Sequence, residues 1–192
     1  MKYYLSLVLI LFLSIAGPAH ANKSYYAPAT QSIENPVNTI QNTLDKLQKF
    51  SANRDNTNPK LLRAFIVNEI IPHFAFDQMT RWVAGPFARR MNPSNMLALE
   101  ERVTNSFLTS LDNRLSNYNA SKIRANIRRA QFRGPSEAIV TAFFFSPNQH
   151  PDRLDFRMKL QNNLWKIVDV TANGLSASLY YRNHFLSTLR QF

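Results

Sequence analysis

The sequence predicts an α+β domain: N-terminal helices packed on a curved antiparallel sheet of about four to five strands, with a C-terminal helix. Three observations predict it. Apolar residues recur every three to four positions as far as residue 118. They alternate every second position over much of 123–171. One more helical stretch follows. Helices and strands segregated along a chain in this way build a sheet with helices on one face.

The elements follow in order. Met1-Lys2 supplies a positive start, residues 3–16 are almost wholly apolar, and Gly17-Pro18 breaks the run. Ala19-His20-Ala21 then sets small residues where a signal peptidase reads them. The apolar run is shorter than the roughly 20 residues a bilayer requires. A cleavable secretory signal peptide is therefore expected over residues 1–21, a flexible polar leader over 22–32, and a single domain over 33–192. Ile33, Val37, Ile40, Leu44 and Leu47 share one face of a first helix. Asn58-Pro59 caps a second, which runs to Ile71 and stops at Pro72. A third spans 74–83 and ends at Gly85-Pro86. Asn92-Pro93 caps a long fourth, with Met96, Val103, Phe107, Leu111, Leu115 and Tyr118 along one side.

The period then becomes two. Ile123, Ala125 and Ile127 alternate with polar residues, Arg128-Arg129 interrupts, and Ala130 and Phe132 resume shifted by one, as at a β-bulge. Residues 137–146 are apolar on both faces, which marks a central strand. Leu154, Phe156, Met158 and Leu160 alternate with Arg153, Asp155, Arg157 and Lys159, the pattern of a half-buried strand. Asn162-Asn163 makes a turn, residues 164–171 form the last strand, and Ser176 caps a final helix. Asp169 is expected to make a structural bond near Gly174 and Ser176.

Composition excludes several chemistries. With no cysteine there are no thiolate zinc sites, cysteine nucleophiles or disulfides. Only four glycines are present, and none forms a phosphate-cradling loop. His73, Asp77, His150 and His184 would serve an enzyme, yet they show no metal-ligand spacing or nucleophile motif. The net charge is +11, or +10 once Lys2 is removed. Lys122, Arg124, Arg128, Arg129 and Arg133 would suit a nucleic-acid binder. An exported chain more naturally meets anionic phosphate headgroups or acidic partner faces.

Two segments carry a resemblance. Residues 69–90 (EIIPHFAFDQMTRWVAGPFARR) hold a helix ending in proline, an aromatic-x-aromatic-Asp step, Met, Arg, a small-Gly turn and a basic pair. Residues 153–185 place Trp165, Asp169, Gly174, Ser176, Tyr181, Arg182 and Phe185 in a matching order. Together with the element order over about 33–190, they resemble the MlaC family, the toluene-tolerance or auxiliary periplasmic phospholipid-binding proteins. Asn173 stands where that family usually has an acidic residue.

The resemblance implies a cone loosely like nuclear transport factor folds, enclosing a lipid cavity, with no catalysis, no metal and no cofactor. It implies a periplasmic carrier of glycerophospholipid that moves between an inner-membrane lipid ABC transporter complex and an outer-membrane lipoprotein complex. Contacts with these membrane proteins would be transient, nucleic acid would play no part, and a monomer is expected. A carrier of another amphiphile, or a cavity enzyme of the same cone-like fold, is the alternative. Each methylene kept from water is worth roughly 0.8 kcal/mol, so two chains of about 16 carbons represent about 25 kcal/mol of gross transfer energy.

A deep apolar cavity is therefore expected. Its lining would come from Phe65, Ile70, Phe74, Phe76, Met79, Trp82, Val83 and Phe87, with Phe107 and Leu111 from the long helix. The central strand would give Ile139, Phe143 and Phe145, or else the opposite set, Val140 and Phe144. Leu154, Phe156, Met158 and Ile167, with Val170, would extend the wall. Arg81, Arg89, Arg90 and Arg182 are expected at the headgroup or on a docking face, because guanidinium suits phosphate.

Overall fold

The computed structural model of the chain describes residues 33–53, 58–116, 123–147 and 150–190. The expected signal peptide, the leader, Tyr118 and Lys122 lie outside the described residues.

Three of the helices start in the same way. Helix α1 (Pro36–Ala52), α2 (Pro59–Phe65) and α4 (Pro93–Leu115) each have Asn as cap and Pro as first residue. The caps accept from Val37 N at 3.0 Å, Lys60 N at 3.1 Å and Asn95 N at 2.8 Å. Each cap satisfies an amide that has no partner within its helix. The first helix thus begins at Pro36, and Ile33 precedes it, 51% exposed. The signal was the same Asn-Pro pair that marked the other two.

The second helix is not uniform as far as Ile71. After Phe65 it widens into a π turn, Ile66–Ile70, and then tightens into a 3-10 turn, Ile71–His73. Pro72 cannot donate, and in α geometry its ring would meet the carbonyl four residues back. The ladder shifts instead, and Ile71 N donates to Ile66 O. Helix α3 (Phe76–Ala84) starts two residues later than expected. Phe74 makes a parallel bridge to Ile167, and Ala75 N donates to Ile167 O at 2.9 Å. Gly85 ends α3 with φ at +54°, and the chain continues as a 3-10 turn, Gly85–Arg89, rather than stopping at Pro86.

Six strands form one antiparallel sheet: β1 (Arg124–Ile127), β2 (Gln131–Phe132), β3 (Glu137–Phe145), β4 (Asp152–Gln161), β5 (Leu164–Ala172) and β6 (Leu175–Ser176). Their order is β1-β3-β4-β5-β6, and β2 also pairs with β3. The interruption expected at Arg128-Arg129 separates β1 from β2. Asn162 and Asn163, with φ of 50° and 62°, close the β4–β5 hairpin. Val168 is an extra residue in β5: Arg157 pairs with Asp169 while Met158 pairs with Ile167. Helix α5 (Ala177–Leu189) follows. Ser176 Oγ accepts from Leu179 N at 3.2 Å and donates to Asp169 at 2.7 Å. Asp169 also accepts from Ser178 N and Oγ, both at 3.0 Å, so it anchors the start of α5.

The two faces of the sheet are distinct. Ala138, Val140, Ala142, Phe156, Met158, Trp165 and Ile167 pack on one side with Ile40 of α1. The opposite side of β3 and β4 carries polar pairs. Lys159 meets Glu137 at 3.2 Å, Thr141 Oγ1 donates to Asp155 at 2.6 Å, and Arg153 meets Asp155 at 3.0 Å.

Candidate functional site

Among the described residues the interior holds three apolar clusters. One is the sheet face with α1. A second joins α3, α4 and α5 through Phe76, Met79, Val83, Val103 and Tyr181. The third joins Leu47, Leu62, Ile66, Ile70, Leu108 and Leu115. Phe74 packs against all three. It reaches them because its bridge to Ile167 holds it extended between the Ile71–His73 turn and α3. Its ring centroid is 4.7 Å from that of Phe107 and 5.7 Å from that of Phe76, and Phe76 and Phe107 are 5.5 Å apart. Phe74 and Phe107 are only half-buried. The result is an aromatic seam between the helical layer and the sheet.

Most residues expected to line a cavity fall in these clusters. Phe76, Met79, Val83, Phe87 and Phe107 belong to the second, Phe65, Ile70 and Leu111 to the third, and Leu154, Phe156, Met158 and Ile167 to the sheet cluster. They pack against one another. Two clefts of the described surface, of about 440 and 620 Å³, are lined by none of them.

Four residues need correcting. Ile139, Phe143 and Phe145 point away from the sheet cluster, because Val140 pairs with Phe156 and Ala142 with Leu154 on the inward face. The alternative set, Val140 and Phe144, is the inward one. Arg128 lies over Phe143 at 5.6 Å, and Phe145 is 44% exposed. Trp82 also faces the polar side of the sheet, with Arg157 and Lys159 over its ring at 5.2 and 5.9 Å.

The arginines divide. Arg81, Arg89 and Arg90 are exposed, and Arg90 lies 5.2 Å over Phe87. Arg182 is half-buried, and its guanidinium is committed to the end of α3. Its Nε donates to Trp82 O at 3.1 Å and Val83 O at 3.3 Å, and its Nη2 donates to Trp82 O. It is a helix cap rather than a free phosphate ligand. Gly85 makes room for it, since a Cβ there would lie 3.2 Å from Arg182 Cζ.

The residues expected to serve an enzyme do not gather. Asp77, His150 and His184 are exposed on separate elements, and His184 stacks on Tyr180 at 6.2 Å. Among the described residues no cluster of three or more His, Asp or Glu could hold a metal ion. Among the described residues His73 is the one histidine with a resolved shift. Burial, then the charges of Lys166 and Lys46, push it below 6.5. Burial and the nearby charge of Asp77 raise Glu100, and burial raises Tyr181. Sequence reading missed the cleft around His73, because it joins α1, the 3-10 turn and β5 over long sequence distances.

Helices packed on an antiparallel sheet around an aromatic seam define an α+β domain. The chain belongs to the MlaC protein family, which matches residues 37–192. Among solved structures it is similar to a phospholipid-binding protein from Ralstonia solanacearum, determined in complex with a phospholipid. The TM-score is 0.70 at 19% identity, covering 82% of this chain and 89% of that one. A comparison with curated proteins gives no match.

Proposed function

We propose that the chain is an exported periplasmic carrier of glycerophospholipid, not an enzyme. It shuttles lipid between an inner-membrane ABC transporter complex and an outer-membrane lipoprotein complex, and so maintains the lipid asymmetry of the outer membrane. The observation that carries this reading is the meeting of three apolar clusters at the half-buried ring of Phe74 in a member of the MlaC family. The phospholipid named with its structural neighbour supports the same reading. The rings of Phe74, Phe76 and Phe107 meet there through side chains, so they can part while the backbone bridge from Phe74 to Ile167 stays in place. Acyl chains entering it would exchange ring–ring contacts for ring–methylene contacts, and the roughly 0.8 kcal/mol per methylene drives the exchange. Residues 1–21 direct export and are removed, and the monomer is the working unit.

Native mass spectrometry of the purified protein, followed by organic extraction, tests this directly. Co-purified phospholipid is the expected result. Protein that arrives empty and takes up no lipid from liposomes overturns the reading.

A further inference from the structure

The cleft of about 440 Å³ lies where α1 passes the Ile71–His73 turn and the start of β5. Its wall is rich in cations. Lys46 and Lys49 come from α1 and Lys166 from β5, and the imidazole of His73 lies among them on the turn. Lys46 holds Glu69 at 2.6 Å, and Lys166 Nζ donates to Pro72 O at 2.5 Å. Each ammonium has three donors, so both keep capacity. Lys49 makes no ion pair among the described residues. Glu34 and Asp45 also line the cleft, but Asp45 accepts from Gln41 at 2.8 Å.

A second observation is independent of charge. Trp165 lines the same cleft and is 5% exposed, and its buried Nε1–H has no acceptor among the described residues. A buried donor without a partner costs about 1–3 kcal/mol, so its retention calls for an acceptor. Trp165 also belongs to the sheet cluster with Ile40, so the cleft joins an apolar wall to its lysines. An amphiphile's polar end suits such a place. Burial lowers the proton affinity of His73 most, and Lys166 and Lys46 lower it further against the opposing charges of Glu69 and Glu34.

We propose that this cleft binds a phosphate group, with Trp165 Nε1–H and the ammonium of Lys49 donating to its oxygens and Lys46 and Lys166 adding charge. Several phosphate oxygens can accept from indole and ammonium donors together. The phosphate could belong to a lipid headgroup or be free in solution. Only the first source rests on the carrier reading.

Lipid-stripped protein labelled with ¹⁵N gives two indole resonances, one for each of its two tryptophans. Trp165→Phe keeps a ring, removes the N–H and so identifies its signal. The Trp165 resonance should shift saturably on titration with dihexanoyl phosphatidylglycerol. Lys49→Glu, at an exposed position on α1, should weaken that response about tenfold or more. A matching response to inorganic phosphate assigns the site to phosphate from either source. A response to the lipid alone assigns it to a headgroup seated by its chains. No shift with either probe, or a shift that Lys49→Glu leaves intact, overturns the proposal. Phospholipid extracted from a protein whose Trp165 signal never moves would sink this site and leave the carrier reading standing. A phosphate response in a protein that never holds lipid would do the reverse.

Discussion

Phe107→Trp and Phe143→Trp make the same change on opposite sides of the question of where acyl chains go. Phe107 sits in the aromatic seam, 4.7 Å from the Phe74 ring and 5.5 Å from Phe76. An indole there must push those rings apart, and overpacking of this kind costs about 1–3 kcal/mol. A ligand that has to part the same rings meets the added bulk, so uptake should weaken roughly 5–150-fold, the span that 1–3 kcal/mol represents. Phe143 lies on the outward face beneath Arg128 and belongs to none of the three clusters. The same substitution there should change stability by less than about 0.5 kcal/mol and leave uptake unchanged. Transfer of pyrene-labelled phospholipid from liposomes measures uptake, and the urea midpoint of each variant separates lost binding from lost folding. Equal loss in both variants would refute the assignment of faces. Full uptake by Phe107→Trp would refute the seam as the entry route.

Three further outcomes follow from the geometry. Gly85→Ala forces a side chain into φ +54° and a 3.2 Å approach to Arg182, and should cost about 2 kcal/mol in urea unfolding. In a double-mutant cycle with Arg182→Met the two costs should fail to add, because the residues share one contact. Asp169→Ala removes three hydrogen bonds at the start of α5 and should cost about 2–3 kcal/mol, seen as early loss of helical signal on heating. His73 holds its proton less tightly in the fold than its ordinary 6.5, chiefly through burial, then through Lys166 and Lys46. The unfolded chain binds the proton first, so the stability tied to neutral His73 is complete above pH 6.5 and declines as pH falls below it. An NMR titration should place the His73 midpoint below 6.5 and move it upward in Lys166→Met.

Local chemistry made much of this fold legible. The alternation of Leu154, Phe156, Met158 and Leu160 against four charged residues fixes which side of β4 is buried, because only one arrangement avoids burying Arg and Lys. The Asn-Pro pairs fix helix starts, because a cap acceptor and a preset φ act within three residues. What stayed hidden depends on partners distant in sequence. Residues 137–145 are apolar on both faces, so only pairing with β4 decides that Val140 faces inward and Phe143 outward. Arg182 is read as a phosphate ligand from its type alone, whereas its carbonyl partners lie about a hundred residues away on α3. The cleft beside Trp165 is illegible for the same reason, since it exists only once α1 crosses the start of β5.

Val168 has a consequence for how this chain can vary in length. Strand β5 carries one residue more than its neighbour across the Arg157–Met158 step, yet Ile167 and Val170 both stay inward and Asp169 stays outward. Removing Val168 would leave a plain alternating strand with every downstream side chain on its present side. An extra residue between Asp169 and Val170 would turn Val170 toward the charged row of β4 and carry the error into α5. Loss of Val168 therefore keeps the register but leaves a void where a fully buried side chain was, whereas an insertion between Asp169 and Val170 breaks the register itself.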